Sequence, residues 1–143
     1  MGCCDSKLKH PFQDEFDWGK KLGRGSFGEV FQCTRMKDDQ VMACKVMQII
    51  SEDDKYFLKT ELQMMEKLSG KHPAFLTIYE WRKTGDVFRL FCELCEGGDL
   101  KDIGKLPIDD FRIVLEQITS ALVYLHSRRV AHLDLKPVAI INN

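Results

Sequence analysis

The segment Gly23-Arg24-Gly25-Ser26-Phe27-Gly28-Glu29-Val30 constrains this chain more than any other. It lies between two runs that read as β-strands, and its spacing is G-x-G-x-x-G-x-V. Loops of that form lie over the phosphates of a bound nucleotide. Glycine lacks a Cβ, so the backbone can approach phosphate oxygens closely and take up positive φ. An ordinary glycine-rich hairpin has the same letters, so the motif carries weight only if matching parts stand at matching distances.

The surrounding pattern predicts such parts. Phe16 to Leu22 alternates as a first strand that Gly19 interrupts, and Val30 to Thr34 reads as a second. After the polar turn at Met36–Gln40, Val41 to Val46 is a third strand, apolar on both faces except for Lys45. A lysine inside such a run either snorkels out at a sheet edge or is aimed at phosphate. Ser51-Glu52-Asp53-Asp54 suits the positive end of a helix dipole, and a helix is expected from about Lys55 to Leu68. Leu58, Leu62, Met65 and Leu68 form its apolar stripe. Glu61 falls on the same stripe, where a carboxylate needs a cation, and Lys45 is the candidate. Glu66 competes for that role but lies one position off the stripe.

Ser69 to Pro73 breaks the helix, and Phe75–Trp81 and Val87–Cys92 read as a fourth and a fifth strand around a turn at Thr84-Gly85-Asp86. Glu96-Gly97-Gly98-Asp99 marks a hinge. Beyond it, a short helix or turn (99–104) precedes a long helix from Asp109 to Arg129, whose stripe runs through Phe111, Val114, Leu115, Ile118, Ala121, Leu122 and Leu125. A short element then carries the cluster His132-Leu133-Asp134-Leu135-Lys136-Pro137.

Composition narrows the classes of function. A formal net charge of −1 gives no global pull toward nucleic acid or an anionic membrane. No apolar run spans a bilayer, and the first residues lack the apolar core of a secretory signal. The six cysteines have no framework spacing and read as reduced thiols of a cytoplasmic chain. Cys92-Glu93-Leu94-Cys95 is formally C-x-x-C, but without a second pair it reads as buried packing. Met1-Gly2-Cys3-Cys4-Asp5-Ser6 matches the N-myristoylation pattern, with Cys3 and Cys4 placed for palmitoylation. Two acyl chains hold a protein stably on the inner membrane leaflet, whereas one does not. The alternative is an unmodified N-terminus with two incidental cysteines.

Taken in order, these parts resemble the first half of a eukaryotic protein kinase domain, from about Asp17 to Asn143. The resemblance implies an α+β fold. Residues 1–15 would be a lipid-anchor tail. Residues 16–95 would form an N-terminal lobe, a five-stranded antiparallel sheet with one helix. Residues 96–143 would be the hinge and an incomplete helical C-terminal lobe. It implies ATP with Mg²⁺ as cofactors and a protein substrate or partner kinase. The amides of Gly23, Gly25, Ser26, Phe27 and Gly28 would cover the phosphates. Lys45 would contact the α- and β-phosphates and pair with Glu61. Leu22, Val30 and Ala43 would roof the adenine and Ile141 would floor it. Cys92 would be the gatekeeper, with the backbone of Glu93 and Cys95 on the adenine edge and Asp99 on the ribose. Asp134 resembles the catalytic Asp, and Lys136 the lysine that steadies the γ-phosphate in Ser/Thr kinases. Leu133, in place of the usual Arg, together with Cys92–Cys95 and Glu29-Val30-Phe31, is similar to the Wee/Myt group, which inhibits cyclin-dependent kinases.

Two departures shape the functional expectation. Ala139 stands where the family's catalytic loop has a metal-binding Asn, and alanine offers Mg²⁺ no oxygen. The sequence also stops at Asn143, ahead of any Asp-Phe-Gly segment. The expectation is therefore a kinase-domain fragment that, alone, does not phosphorylate substrates at a normal rate. Alternatives are a truncated pseudokinase acting as a membrane-associated binding module, or a gene fragment without activity. The Phe111/Leu115/Ile118/Leu122 face is expected to be exposed.

Overall fold

The computed structural model describes residues 12–25, 28–97, 100–133 and 135, and for residues 101 and 102 the backbone alone. In chain order these residues form β1 (Phe16–Gly25), β2 (Gly28–Arg35), β3 (Gln40–Gln48), α1 (Glu52–Leu68), β4 (Ile78–Thr84), β5 (Val87–Glu93), α2 (Leu100–Ile103) and α3 (Ile108–Ser127). The chain divides into two compact units. One runs to Glu52 and includes Tyr79–Leu94; the other holds Asp53–Ile78 and the chain from Cys95.

The first unit is a five-stranded antiparallel sheet of order β1-β2-β3-β5-β4, as the sequence predicts. The side-chain period of a strand is two, so register decides which residues share a face. Val30 lies opposite Lys45, which lies opposite Leu90; Gln32 lies opposite Ala43, which lies opposite Cys92. These six therefore share one face. The other face carries Phe31, Cys33, Met42, Cys44, Val46, Arg89 and Phe91. There Phe16, Cys33, Met42, Cys44 and Phe91 form a buried core, flanked by Phe12, Trp18, Val46 and Tyr79. Phe16 stacks on Phe91 with ring centroids 4.5 Å apart.

The chain before β1 is tied to this second face. Phe12 has a positive φ of 75°, rare for a bulky residue. Its carbonyl accepts from the Glu15 and Phe16 amides at 3.0 and 2.9 Å. Arg82 on β4 donates to both carboxylate oxygens of Glu15, Nη1 to Oε1 at 2.8 Å and Nη2 to Oε2 at 2.9 Å, and its Nε donates to Glu80 at 2.9 Å. At the β2–β3 turn, Arg35 grips Asp38 in the same two-point fashion, at 2.8 and 2.7 Å.

The second unit contains an aromatic junction. His72 packs against Phe75 and Tyr124, at ring-centroid distances of 5.2 and 5.6 Å, and Phe75 meets Tyr124 edge-on at 5.4 Å. His72 Nδ1 accepts from the Ala74 amide at 3.1 Å, which leaves Nε2 to donate to Ser120 Oγ at 3.0 Å. This junction explains why the fourth strand starts at Ile78 rather than Phe75: the Phe75 ring is used against α3. Ser69 Oγ takes the Ile78 amide at 2.8 Å, so the strand begins where that bond ends the loop.

α3 closely follows its predicted span, and its last turn is closed by Arg128 and Val130 amides on the Leu125 carbonyl. Among its described residues only Leu125 is buried, and Phe111 and Leu115 are about half exposed (48% and 50%). α1 corrects one expectation. Leu62 is its one buried residue; Leu58, Met65 and Leu68 are half-buried, and Glu61 is exposed. The helix buries a narrower strip than its apolar stripe, and Glu61 stands on an exposed position rather than a buried one. Glu66 is exposed as expected.

Candidate functional site

The glycine segment is a hairpin between β1 and β2. Gly23 pairs with Val30, Arg24 with Glu29 and Gly25 with Gly28. Its strands thus extend further into the motif than the sequence suggests, and Ser26 and Phe27 lie outside the described residues. The three glycines differ in kind. Gly28 has φ +143°, and a Cβ there would collide with the Val46 carbonyl. Gly23 and Gly25 do not have positive φ, and a Cβ on either meets nothing within 4 Å among the described residues. The fold therefore requires the third glycine, while the first two leave open space above the strand backbone.

Leu22 lies at an irregularity of β1, where one extra residue is inserted between Lys21 and Gly23, and it is 41% exposed. An exposed ion pair between Lys21 and Glu29 ties the strands beside it, and the Lys21 hydrogen bond holds the Glu29 carboxyl below its ordinary value. Val30 and Lys45 are half-buried, and Ala43 is buried. Cys92 is buried, and its Sγ donates to the Ala43 carbonyl at 3.7 Å. Val30, Ala43, Lys45 and Cys92 thus share the face that continues from the glycine hairpin. Glu93 closes β5 in the first unit; Cys95 follows in the second, half-buried. Cys92 and Cys95 are both reduced cysteines.

The remaining predicted residues divide simply. Glu61 belongs to α1, in the second unit, and Lys45 to the first. Gly2, Cys3, Cys4, Asp99, Asp134, Lys136, Ala139 and Ile141 lie outside the described residues. Leu133, beside Asp134, is 94% exposed with φ 59°.

Residues 16–143 match the family model described as protein kinase domain. The chain belongs to that family. This kinase-domain chain is 30% identical over 149 residues to Serine/threonine-protein kinase PEPKR2 of Arabidopsis thaliana, covering 99% of the chain and 31% of that protein. It is 33% identical over 125 residues to Calcium-dependent protein kinase 5 of Plasmodium falciparum, covering 85% and 22%. It is 32% identical over 140 residues to mouse Aurora kinase B, covering 92% and 40%. The chain thus spans between about a fifth and two fifths of these relatives.

Sequence reasoning passed over one residue. Arg89 interrupts the apolar run of β5 as Lys45 interrupts that of β3, and it is 4% exposed. A charge inside a strand of large apolar residues was the available signal.

Proposed function

We propose that this chain is the nucleotide-binding part of a Ser/Thr-type protein kinase domain. One observation carries the reading. Among the described residues nothing gives Gly23 or Gly25 a steric reason to be glycine, neither has a positive φ, and they border the face that presents Val30, Ala43 and Lys45. Open strand backbone beside a lysine on a sheet face that also carries Val30, Ala43 and Leu90 fits a triphosphate and a flat apolar base.

In this reading the hairpin amides lie over the ATP phosphates and Lys45 binds the α- and β-phosphates. Glu61 of α1 orients Lys45. Val30, Ala43 and Leu22 cover the base, Cys92 limits the depth of its pocket, and Glu93 and Cys95 offer it backbone groups. Asp99 holds the ribose and Ile141 lies under the base. Asp134 accepts the proton of a substrate Ser or Thr hydroxyl, and Lys136 steadies the transferred phosphoryl group. ATP supplies that phosphoryl group when bound. Ala139 provides no oxygen for Mg²⁺, so no metal is assigned to it and no step depends on one there.

The same Ala139 favours a second reading, a pseudokinase module that binds nucleotide without efficient transfer. The Wee/Myt likeness rests on Leu133 and Cys92–Cys95 and is a finer form of the first reading. Attachment to the inner membrane leaflet through acyl groups on Gly2, Cys3 and Cys4 is a separate proposal. Intact mass spectrometry of the native protein tests it: the acyl mass increments support it, and an unmodified N-terminus rejects it.

The test of nucleotide binding is a thermal shift with ATP and Mg²⁺. The wild type is expected to gain stability and Lys45→Ala to lose most of that gain. No shift in the wild type, or an equal shift in Lys45→Ala, rejects the nucleotide site. Phosphate transfer to a generic Ser/Thr protein substrate then separates kinase from pseudokinase.

A further inference from the structure

We propose that the sheet face opposite Lys45 carries an oxyanion site formed by Arg89 and Arg82, covered by Phe12 in the closed form. Arg89 is 4% exposed, and its Nε and Nη1 make no hydrogen bond. A guanidinium does not shed its charge, and its buried donors need partners. Its ring neighbour is Phe12, whose centroid is 5.9 Å from the Arg89 guanidinium carbon. Arg82 lies over the same ring at 4.8 Å. Two arginines therefore bracket one phenyl ring. Arg82 is paired with Glu15 and Glu80, whereas no carboxylate among the described residues pairs with Arg89.

The cover is built to move. Phe12 has the positive φ of 75° that bulky residues avoid, so release relaxes its backbone. It is held by partly buried packing against the core, by the hydrogen bonds that its carbonyl accepts from the Glu15 and Phe16 amides, and by the Glu15–Arg82 pair at the surface. An oxyanion of the phosphate class, with several acceptors, can replace Glu15 on Arg82 and meet the unfilled donors of Arg89 once the ring leaves. The ligand and Glu15 thus compete for Arg82. In the closed form Phe12 and Glu15 hold the first turn against the sheet; in the open form the ligand takes their place. The site is on the face opposite Lys45 and does not share residues with the proposed nucleotide site.

Inorganic phosphate is the probe, compared with chloride at matched ionic strength. The full chain carries Lys45→Ala, to weaken phosphate binding at the glycine hairpin. Phosphate is expected to raise the unfolding temperature and to speed hydrogen exchange at the Glu15 and Phe16 amides, which the cover protects. Phe12→Ala is expected to bind phosphate several-fold more tightly, and Arg89→Met to lose both responses. Absence of either response to phosphate, or equal responses in Arg89→Met, overturns the proposal. If Arg89→Met does not fold, Phe12→Ala decides: phosphate affinity that is unchanged or weaker overturns it.

Discussion

Gly28 faces the carbonyl oxygen of Val46 so closely that a Cβ on Gly28 would lie far inside the van der Waals contact distance. The Val46 carbonyl carbon and Met47 Cα would lie at 3.0 and 3.2 Å. β2 and β3 are therefore packed backbone to backbone at the base of the hairpin. Gly28→Ala is expected to destabilise the sheet by about 2–4 kcal/mol, from forbidden φ and overpacking together. Gly23→Ala and Gly25→Ala should stay within about 1 kcal/mol of the wild type in denaturant unfolding, because their methyl groups point into space. Their effect should appear in ATP binding.

Acid should loosen the first unit through three surface carboxylates. The hydrogen bond from Arg82 holds Glu15 below its ordinary 4.5, and Lys21 does the same for Glu29. Arg35 holds Asp38 below 3.8. A carboxylate depressed in the folded state contributes stability above its unfolded value, and that contribution is lost as pH falls through the folded value. The unfolding midpoint should therefore drop as pH falls below about 4.5. Glu15→Gln should flatten part of that acid limb and leave the pH dependence above about pH 6 unchanged; an unchanged acid limb would count against the Glu15–Arg82 pair.

Thiol chemistry should rank the described cysteines by burial. Burial pushes the Cys33 thiol up to about 12 and the Cys44 thiol higher still, so neither is a thiolate at neutral pH. Alkylation of the native chain followed by peptide mass spectrometry should label the half-buried Cys95 before Cys33, Cys44 and Cys92. Equal labelling would mean that β2 and β3 open more readily than their core contacts imply.

In the second unit, His72→Leu removes the bonds to Ala74 and Ser120 from the aromatic junction. Each such bond is worth about 1 kcal/mol net, so a loss of about 1–2 kcal/mol is expected in unfolding. Ser120→Ala should cost less than His72→Leu, because it leaves the Ala74 bond and the ring packing intact.

Much of this architecture was legible from local pattern. β3 and β5 are short apolar runs bounded by turn residues, and α3 has a stripe of unmistakable helical period. What escaped was set by distant partners. Phe75 reads as a strand residue, yet its ring is recruited by Tyr124, 49 positions on, and the strand starts later. Glu61 was placed on a buried stripe by angle, whereas α1 buries little beyond Leu62. Of the candidate site, the shared face of Val30, Ala43, Lys45 and Cys92 follows from strand alternation. Arg89 needed the sheet to be built first, because burial on one face and the unfilled Nε and Nη1 donors are not local properties.

The pairing of Lys45 between Val30 and Leu90 has a consequence for how such a chain can change length. Extra residues at Met36–Asp39 would enlarge a surface turn and leave the lysine where it is. A single residue lost from Gln40–Cys44 would shift β3 by one step and exchange Lys45 for Cys44 or Val46 on that face. Length variation among related chains should therefore collect at the Arg35–Asp38 turn and be absent from the strand that follows it.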